Sequence, residues 1–313
     1  MQPKEINNKD VILITHGDVD GMVCAAQILR REKSNMELVF SNAKFIHSKL
    51  YSVLQNNIPK RIYITDIPAS IEVEQSLNIL FSKGSEVFWI DHHPWPEGVY
   101  DRIVKLCTEV VYKKGLEYPA GALVGQWLKK EDPYYEQVGN ICYAYEKGTD
   151  WERNWFRLLA SYVGKSEREV LERLAYNQDF TQTDLDRIEQ QKESEQISED
   201  ILFKQPETVT VKSGKEMAIY DTSQMKGVYL GQKVFQHHNV DFCLTRISEK
   251  KWWLASNPTS KHSMKALLGK HQLDNMTITI AGRENELLSI ENVKNIDSIE
   301  PHKLIISWLC DRL

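Results

Sequence analysis

Thr15-His16-Gly17-Asp18-Val19-Asp20-Gly21 closes the apolar run Val11-Ile12-Leu13-Ile14 and leads into the helical pattern from Met22 to Leu29. A strand that ends in a turn carrying one imidazole and two carboxylates offers three potential ligands to a hard divalent cation at the carboxyl edge of a sheet. The same residues suit a plainer role, because carboxylates in such a turn also cap the helix that follows. Two further strand ends favour the metal. Val87-Phe88-Trp89-Ile90 runs into Asp91-His92-His93, and between the two lies Arg61-Ile62-Tyr63-Ile64-Thr65-Asp66, a β-rich run that finishes in one carboxylate.

The chain around these stretches alternates. Strands at 11–14, 37–40, 61–65 and 86–90 are separated by helical patterns at 21–32, 48–56 and 69–83, which implies right-handed crossovers and a mostly parallel sheet. Parallel strands end together, so the three ligand-bearing turns fall on one edge although they are far apart in sequence. Pro94 and Pro96 flank Trp95 directly after the histidines and cannot extend a strand, which makes this a rigid exit loop. From Ala120 the texture is helical, at 121–130, 134–146, 151–163 and 166–177. A strongly charged helix then spans 183–201, polar nearly all round, as helices that bridge domains through solvent are.

After Pro206 short β-type runs appear at 208–211, 217–220, 242–247, 251–255, 276–280 and 287–290, with helical stretches at 229–237 and 262–268. The fold class is α/β: an N-terminal, mostly parallel sheet with helices on both faces (1–182), a helical connector (183–205) and a smaller C-terminal α/β domain (206–313). A length of 313 residues fits two domains.

Composition excludes several classes. Hydrophobic residues at 42% and charged residues at 27% suit a globular chain rather than a disordered one. No apolar run approaches the length of a membrane span and the N-terminal residues lack the apolar core of a signal peptide, so a cytoplasmic address is expected. The five cysteines, Cys24, Cys107, Cys142, Cys243 and Cys310, are scattered without a Cys-x-x-Cys pair, which suits reduced thiols rather than disulfides or a zinc site. A net charge of −5 with no basic block argues against long duplex nucleic acid as the partner.

The order His-x-Asp-x-Asp-Gly, Asp, Asp-His-His resembles the signature of the DHH phosphoesterase superfamily, which includes RecJ exonucleases, nanoRNA and cyclic-dinucleotide phosphodiesterases and family II pyrophosphatases. Asp150, in Lys147-Gly148-Thr149-Asp150-Trp151, stands where that family carries its fourth motif. The resemblance implies two divalent cations, most simply manganese, with magnesium, cobalt or iron as alternatives. His16, Asp18 and Asp66 would hold one; Asp20, Asp66, His92 and Asp150 would hold the other, with Asp66 as the bridge. His93 would face the substrate. Asp66, His92 and His93 are thus the residues implied for catalysis.

In the second domain the family's glycine-rich motif is not intact. Gly269-Lys270-His271 and Ala281-Gly282-Arg283 stand in the same order, which makes Lys270, His271 and Arg283 the candidates for gripping substrate. For Trp252-Trp253, in a β-type run, core packing for one ring is weighed against a nucleobase platform for the other. His237 and His238 read as surface residues.

Cation pairs in such sites promote attack of hydroxide on phosphorus. The expected activity is a manganese-dependent phosphodiesterase acting on a small nucleotide: a short oligonucleotide, a dinucleotide or a nucleotide messenger, of which the S-adenosylmethionine–AMP adduct of antiviral signalling is one. Alternatives are an inorganic pyrophosphatase or exopolyphosphatase, a RecJ-like single-strand exonuclease, and an inactive nucleotide-binding regulator. No membrane partner is expected, and a homodimer is one of the oligomeric forms the sequence leaves open.

Overall fold

The computed structural model describes residues 10–220, apart from 34, 35, 57, 116, 145, 146, 166 and 167, together with 228–248, 251–257, 277–280 and 287–291. By contacts the chain divides into two compact units, Met1–Gln191 and Lys192–Leu313. The dividing point falls inside one helix.

The first unit is built on β1 (Val11–His16), β2 (Met36–Ser41), β3 (Arg61–Thr65), β4 (Glu86–Asp91) and β5 (Glu109–Tyr112). All four strand pairings are parallel, in the order β2-β1-β3-β4-β5. Thr15 is level with both Phe40 and Thr65, and Thr65 with Ile90, so β1 to β4 end at one height. The direction of strand progression reverses between β1 and β3, the place where open α/β sheets bind their ligands.

Alternation along the strands sends side chains to two separate cores. Leu13, Tyr63, Phe88 and Ile90 pack with α1 (Val19–Glu32), α5 (Ala120–Leu128), α7 (Asp150–Ala160) and α8 (Arg168–Ala175). Ile12, Ile14, Ile62, Ile64, Val87 and Trp89 pack on the other face with α2 (Ile46–Asn56), α3 (Glu74–Ser82) and α4 (Val99–Ile103). Burial of each such aliphatic side chain contributes roughly 1.5–3 kcal/mol. Helices therefore cover both faces, as the near-continuous apolar strands require.

Several boundaries differ from the sequence expectation. The helix expected over 69–83 starts at Glu74, after an extended Ser70 and a 3₁₀ turn at Ile71–Val73. The helix expected over 134–146 stops at Gly139, as α6 (Tyr134–Gly139), and continues as a 3₁₀ turn at Asn140–Tyr143. A Cβ on Gly139 would lie 3.0 Å from the Gly121 carbonyl oxygen, so close packing on α5 needs glycine there. β5 has no counterpart in the sequence expectation; four residues with only partial burial leave a weak pattern.

α9 (Gln182–Leu202) departs most. Its sequence is polar all round, yet Asp184 and Ile188 are buried, and Asp184 accepts hydrogen bonds from the Thr181 backbone and hydroxyl and from Arg173. The early turns are thus anchored in the first unit by one capped and paired carboxylate, not left in solvent.

The second unit carries β6 (Glu207–Thr210), β7 (Glu216–Tyr220), α10 (Val228–His237), β8 (Phe242–Ser248), β9 (Lys251–Ser256), β10 (Thr277–Ile280) and β11 (Leu287–Glu291). They form a mixed sheet in the order β10-β11-β9-β8-β7-β6, in which only β7 and β8 run parallel. Trp252 is buried and Trp253 half-buried, the alternation expected of a strand. His237 is exposed, while His238 is half-buried and faces the Leu202 carbonyl through Nε2. Residues 262–268, Lys270, His271, Arg283 and Cys310 lie outside the described residues. No described helix is long and apolar enough to cross a membrane.

Candidate metal centre

The turn after β1 is locked from within. The Thr15 hydroxyl donates to the Gly21 carbonyl at 3.1 Å and accepts from the Thr65 hydroxyl at 2.8 Å, which ties the ends of β1 and β3 together. A Cβ on Gly21 would stand 2.1 Å from the His16 carbonyl oxygen, so the motif's glycine is required by close backbone approach. Asp18 fills both roles open to it. Its Oδ1 caps α1 by accepting from Gly21 N at 3.1 Å, while its Oδ2 lies 2.7 Å from His16 Nδ1.

Asp66 is the hub. It is buried at 2% exposure, and its backbone takes φ +57°, a left-handed conformation that Asp tolerates better than most residues. A hydrogen bond from Asp66 N to the Ile90 carbonyl, at 3.0 Å, holds this turn against β4. Its Oδ1 lies 3.4 Å from His92 Nε2 and 3.8 Å from His93 Nδ1, and its Oδ2 lies 3.9 Å from His16 Nδ1. Two groups of potential metal ligands result, His16–Asp18–Asp66 and Asp66–His92–His93, and they share Asp66.

His92 is aimed by its second nitrogen. Nδ1 lies 3.1 Å from the Gly115 carbonyl oxygen, to which it donates, leaving the Nε2 lone pair directed at Asp66 and, at 3.6 Å, at Asp20 Oδ2. Asp20 is gripped in turn: its oxygens accept from Ala120 N at 2.9 Å and Gly121 N at 2.6 Å, at the start of α5, and from the Cys142 thiol at 3.3 Å.

His93 is oriented separately. Asp91, fully buried, accepts from His93 Nδ1 at 2.8 Å through Oδ1 and from the Trp95 indole N–H at 2.6 Å through Oδ2. Trp95 is itself wedged against Trp89 and Tyr112. Sequence reasoning assigns this role to neither Asp91 nor Trp95. The available signal is the pair of prolines around Trp95, which fixes a ring next to the histidines.

The electrostatics are those of a site built to hold positive charge. Burial raises the pKa of Asp66, and the nearby charges of Asp20 and Asp18 raise it further. Asp20 is raised by burial and by Asp18. Asp18 escapes: burial works against its ionisation, but contact with His16 and the hydrogen bond from Gly21 outweigh it and lower its pKa to about 2. Contact with Asp18 raises His16. Burial alone would lower His93, but the bond to Asp91 and the surrounding carboxylates raise it. Among the described residues no Lys or Arg pairs with Asp18, Asp20 or Asp66, and the buried Asp66 Oδ2 has no hydrogen-bond partner. An orphaned carboxylate oxygen beside the His16 imidazole fits a bound cation, and the mixed nitrogen and oxygen donors suit a first-row transition metal.

The structure thus brings together His16, Asp18, Asp20, Asp66, His92 and His93. Asp150 does not join them. It opens α7 with its side chain 92% exposed, and its carboxylate accepts from Arg153 Nη2 at 2.9 Å on its own helix. An acid in the first turn of a helix is stabilised there by the helix dipole, which accounts for this placement without a metal. The Gly-Thr-Asp context serves the helix start as well, because Thr149 and Glu152 form a reciprocal capping box.

No family model and no curated protein matches the sequence. Among solved structures, the DHH domain of a member of a ribosomal-protein family matches with a TM-score of 0.57 at 14% identity, over 97% of this chain and 86% of that one. An exopolyphosphatase-related protein from Bacteroides fragilis has a TM-score of 0.45 at 13% identity, over 96% and 91%. An uncharacterised protein from Helicobacter pylori has a TM-score of 0.33 at 14% identity, over 95% and 97%. The first of these shows that the chain has the fold of a DHH-domain protein.

Proposed function

We propose that this protein is a divalent-cation-dependent phosphoesterase, and more narrowly a manganese-dependent phosphodiesterase of small nucleotides. The observation that carries this reading is the position of Asp66, whose carboxylate meets His16 and Asp18 on one side and His92 on the other, because a carboxylate so placed could serve both cations of a phosphoryl-transfer site. The ordered motifs of the DHH superfamily and the DHH-domain fold support it.

The residues divide the work. His16, Asp18 and Asp66 would hold one cation; Asp20, Asp66 and His92 would hold the other, to which the order of motifs adds Asp150. Bound there, a pair of divalent cations lowers the pKa of water and offsets the charge on the phosphoryl group. Asp66 is held rigid by its left-handed turn and the bond to Ile90, so the two ligand groups keep their spacing. Gly115 fixes the ring of His92, and Asp91 that of His93. His93 is 37% exposed and keeps Nε2 for substrate, where it donates to a phosphate oxygen or protonates the leaving group. Lys270, His271 and Arg283 remain the proposed contacts of the second unit.

The test is a substrate panel with the full chain and manganese: dinucleotides, cyclic dinucleotides, the S-adenosylmethionine–AMP adduct, single strands of increasing length, pyrophosphate and polyphosphate. Cleavage is expected to fall steeply beyond a few nucleotides and to show a shallow salt slope, because few phosphates are contacted. Turnover of pyrophosphate alone would assign the protein to the pyrophosphatase reading. Processive digestion of long strands would assign it to the exonuclease reading, and no turnover of any member to the regulator reading.

A further inference from the structure

Beside the metal-bearing turn, on the side of β2 rather than β4, lies a cavity of about 380 Å³ that none of the residues assigned to substrate lines. His16 and Asp18 of the metal-bearing turn line it, together with Phe40, Asn42, Phe45, Lys49, Val163 and Gly164. Its volume lies in the range of about 300–1,000 Å³ usual for small-molecule clefts. A hydrogen bond from Gly164 N to the Gly17 carbonyl, at 3.2 Å, fastens the far wall to the metal-bearing turn.

The lining has two chemistries. Phe45 and Val163 stand 47% and 49% exposed, an unusual display for residues beside a well-packed core. The backbone at Phe45 is held in place: Asn42 Oδ1 accepts from its N–H at 3.2 Å and from Lys44 N at 3.0 Å. That leaves the Asn42 amide N–H₂ as a donor. Lys44 stands over the Phe45 ring from outside the cavity. Lys49 pairs with no carboxylate among the described residues, although acidic residues crowd the adjoining centre. An exposed ring, a leftover amide donor and an unpaired ammonium match a nucleotide's base, its ring acceptors and a phosphate respectively. Pyrophosphate or polyphosphate would leave the ring and Val163 without a role.

We propose that this cavity is a nucleoside subsite of the first unit, in which Phe45 stacks on the heteroaromatic base attached to the scissile phosphate and Lys49 contacts a second, non-scissile phosphate. The proposal rests on the phosphoesterase reading only for the phosphate bound at the metal centre. It places part of substrate recognition in the first unit, apart from Lys270, His271 and Arg283.

The test is calorimetric titration of the full chain, in manganese, with inorganic phosphate, with the four common nucleoside 5′-monophosphates and with adenosine 3′,5′-bisphosphate. At least one monophosphate is expected to bind roughly tenfold or more tightly than phosphate, through base stacking. Phe45→Ala should remove most of that advantage, and Phe45→Trp should keep it. Tyr51→Ala, which removes an exposed aromatic of α2 that does not line the cavity, should not alter it. Lys49→Ala should weaken the bisphosphate more than the monophosphate. Equal binding of phosphate and all four monophosphates, or an advantage that survives Phe45→Ala, would overturn the proposal. Binding is read here without turnover, so failure to cleave any diester would sink the phosphodiesterase reading while leaving the subsite standing.

Discussion

Asp66 Oδ2 faces His16 Nδ1 across 3.9 Å at the point where strand order reverses, and the carboxylate oxygen is buried without a hydrogen-bond partner. A buried acceptor left unsatisfied is costly, and a bound cation would supply the missing partner. Asp66→Ala should therefore cost manganese affinity and turnover together. The expected fall exceeds about a hundredfold in each, more than outer-shell ligand partners typically cost. His93→Ala should reduce turnover while leaving the metal bound. Metal analysis and initial rates on the two variants check both, and near-normal turnover in Asp66→Ala would rule out the shared-carboxylate scheme.

Most of this centre is legible in the sequence because topology does the assembling. Once β1, β3 and β4 are read as parallel, their carboxyl ends must meet, and His16 to Asp20, Asp66 and His92-His93 come together without any local spacing rule. What stays hidden is whatever depends on side-chain direction or tertiary contact. The support of His92 by the Gly115 carbonyl involves a backbone atom 23 residues away, which no side-chain pattern announces. The grip of α5 on Asp20 spans about 100 residues through backbone N–H groups, equally silent in composition. α9 misleads because a single buried Asp184, satisfied by Thr181 and Arg173, looks in sequence like one more solvated acid.

Protonation gives a second prediction. In the metal-free protein His16 and His93 are raised above 6.5, and Asp20 and Asp66 above 3.8. Each of these groups holds its proton more tightly when folded, so its contribution is fully present below its unfolded pKa and is lost as the pH rises through the folded value. Asp18, lowered to about 2, acts oppositely: its contribution is present above 3.8 and lost as the pH falls through that lower value. The melting temperature in chelator should therefore fall as the pH rises from 6.5, the ordinary histidine value, through the raised folded values of His16 and His93. Saturating manganese should cancel the fall, since a ligand at a hundred times its Kd adds about 2.7 kcal/mol. A chelator-treated melting temperature that climbs over this interval would contradict the assignment.

Trp95 supplies a test of positioning. Trp95→Phe keeps an aromatic ring against Tyr112 and Trp89 but removes the N–H donated to Asp91 Oδ2. Relieved of that donor, Asp91 should draw the His93 proton more strongly. The expected result is a fall in kcat of about tenfold at constant manganese content, with the limb of the pH–rate profile due to His93 displaced upward. A merely structural role for Trp95 would lower stability and leave that limb where it was, and a loss of bound manganese would place Trp95 in support of the ligands instead.

Asp150 decides how complete the ligand set is. The structure shows it on the surface of α7, paired with Arg153, while its place in the order of motifs assigns it to the second cation. The two are reconcilable energetically, because an exposed i,i+3 ion pair contributes only about 0.2–1 kcal/mol and holds the carboxylate weakly. Asp150→Ala should thus lower manganese stoichiometry from two ions to one and depress turnover accordingly, whereas Arg153→Ala, which frees the carboxylate, should leave both ions in place. Titration by electron paramagnetic resonance of free manganese reads this directly. Two ions retained in Asp150→Ala, with unchanged rates, would leave Asp150 as a helix-start acid and require a different residue to complete the second ligand group.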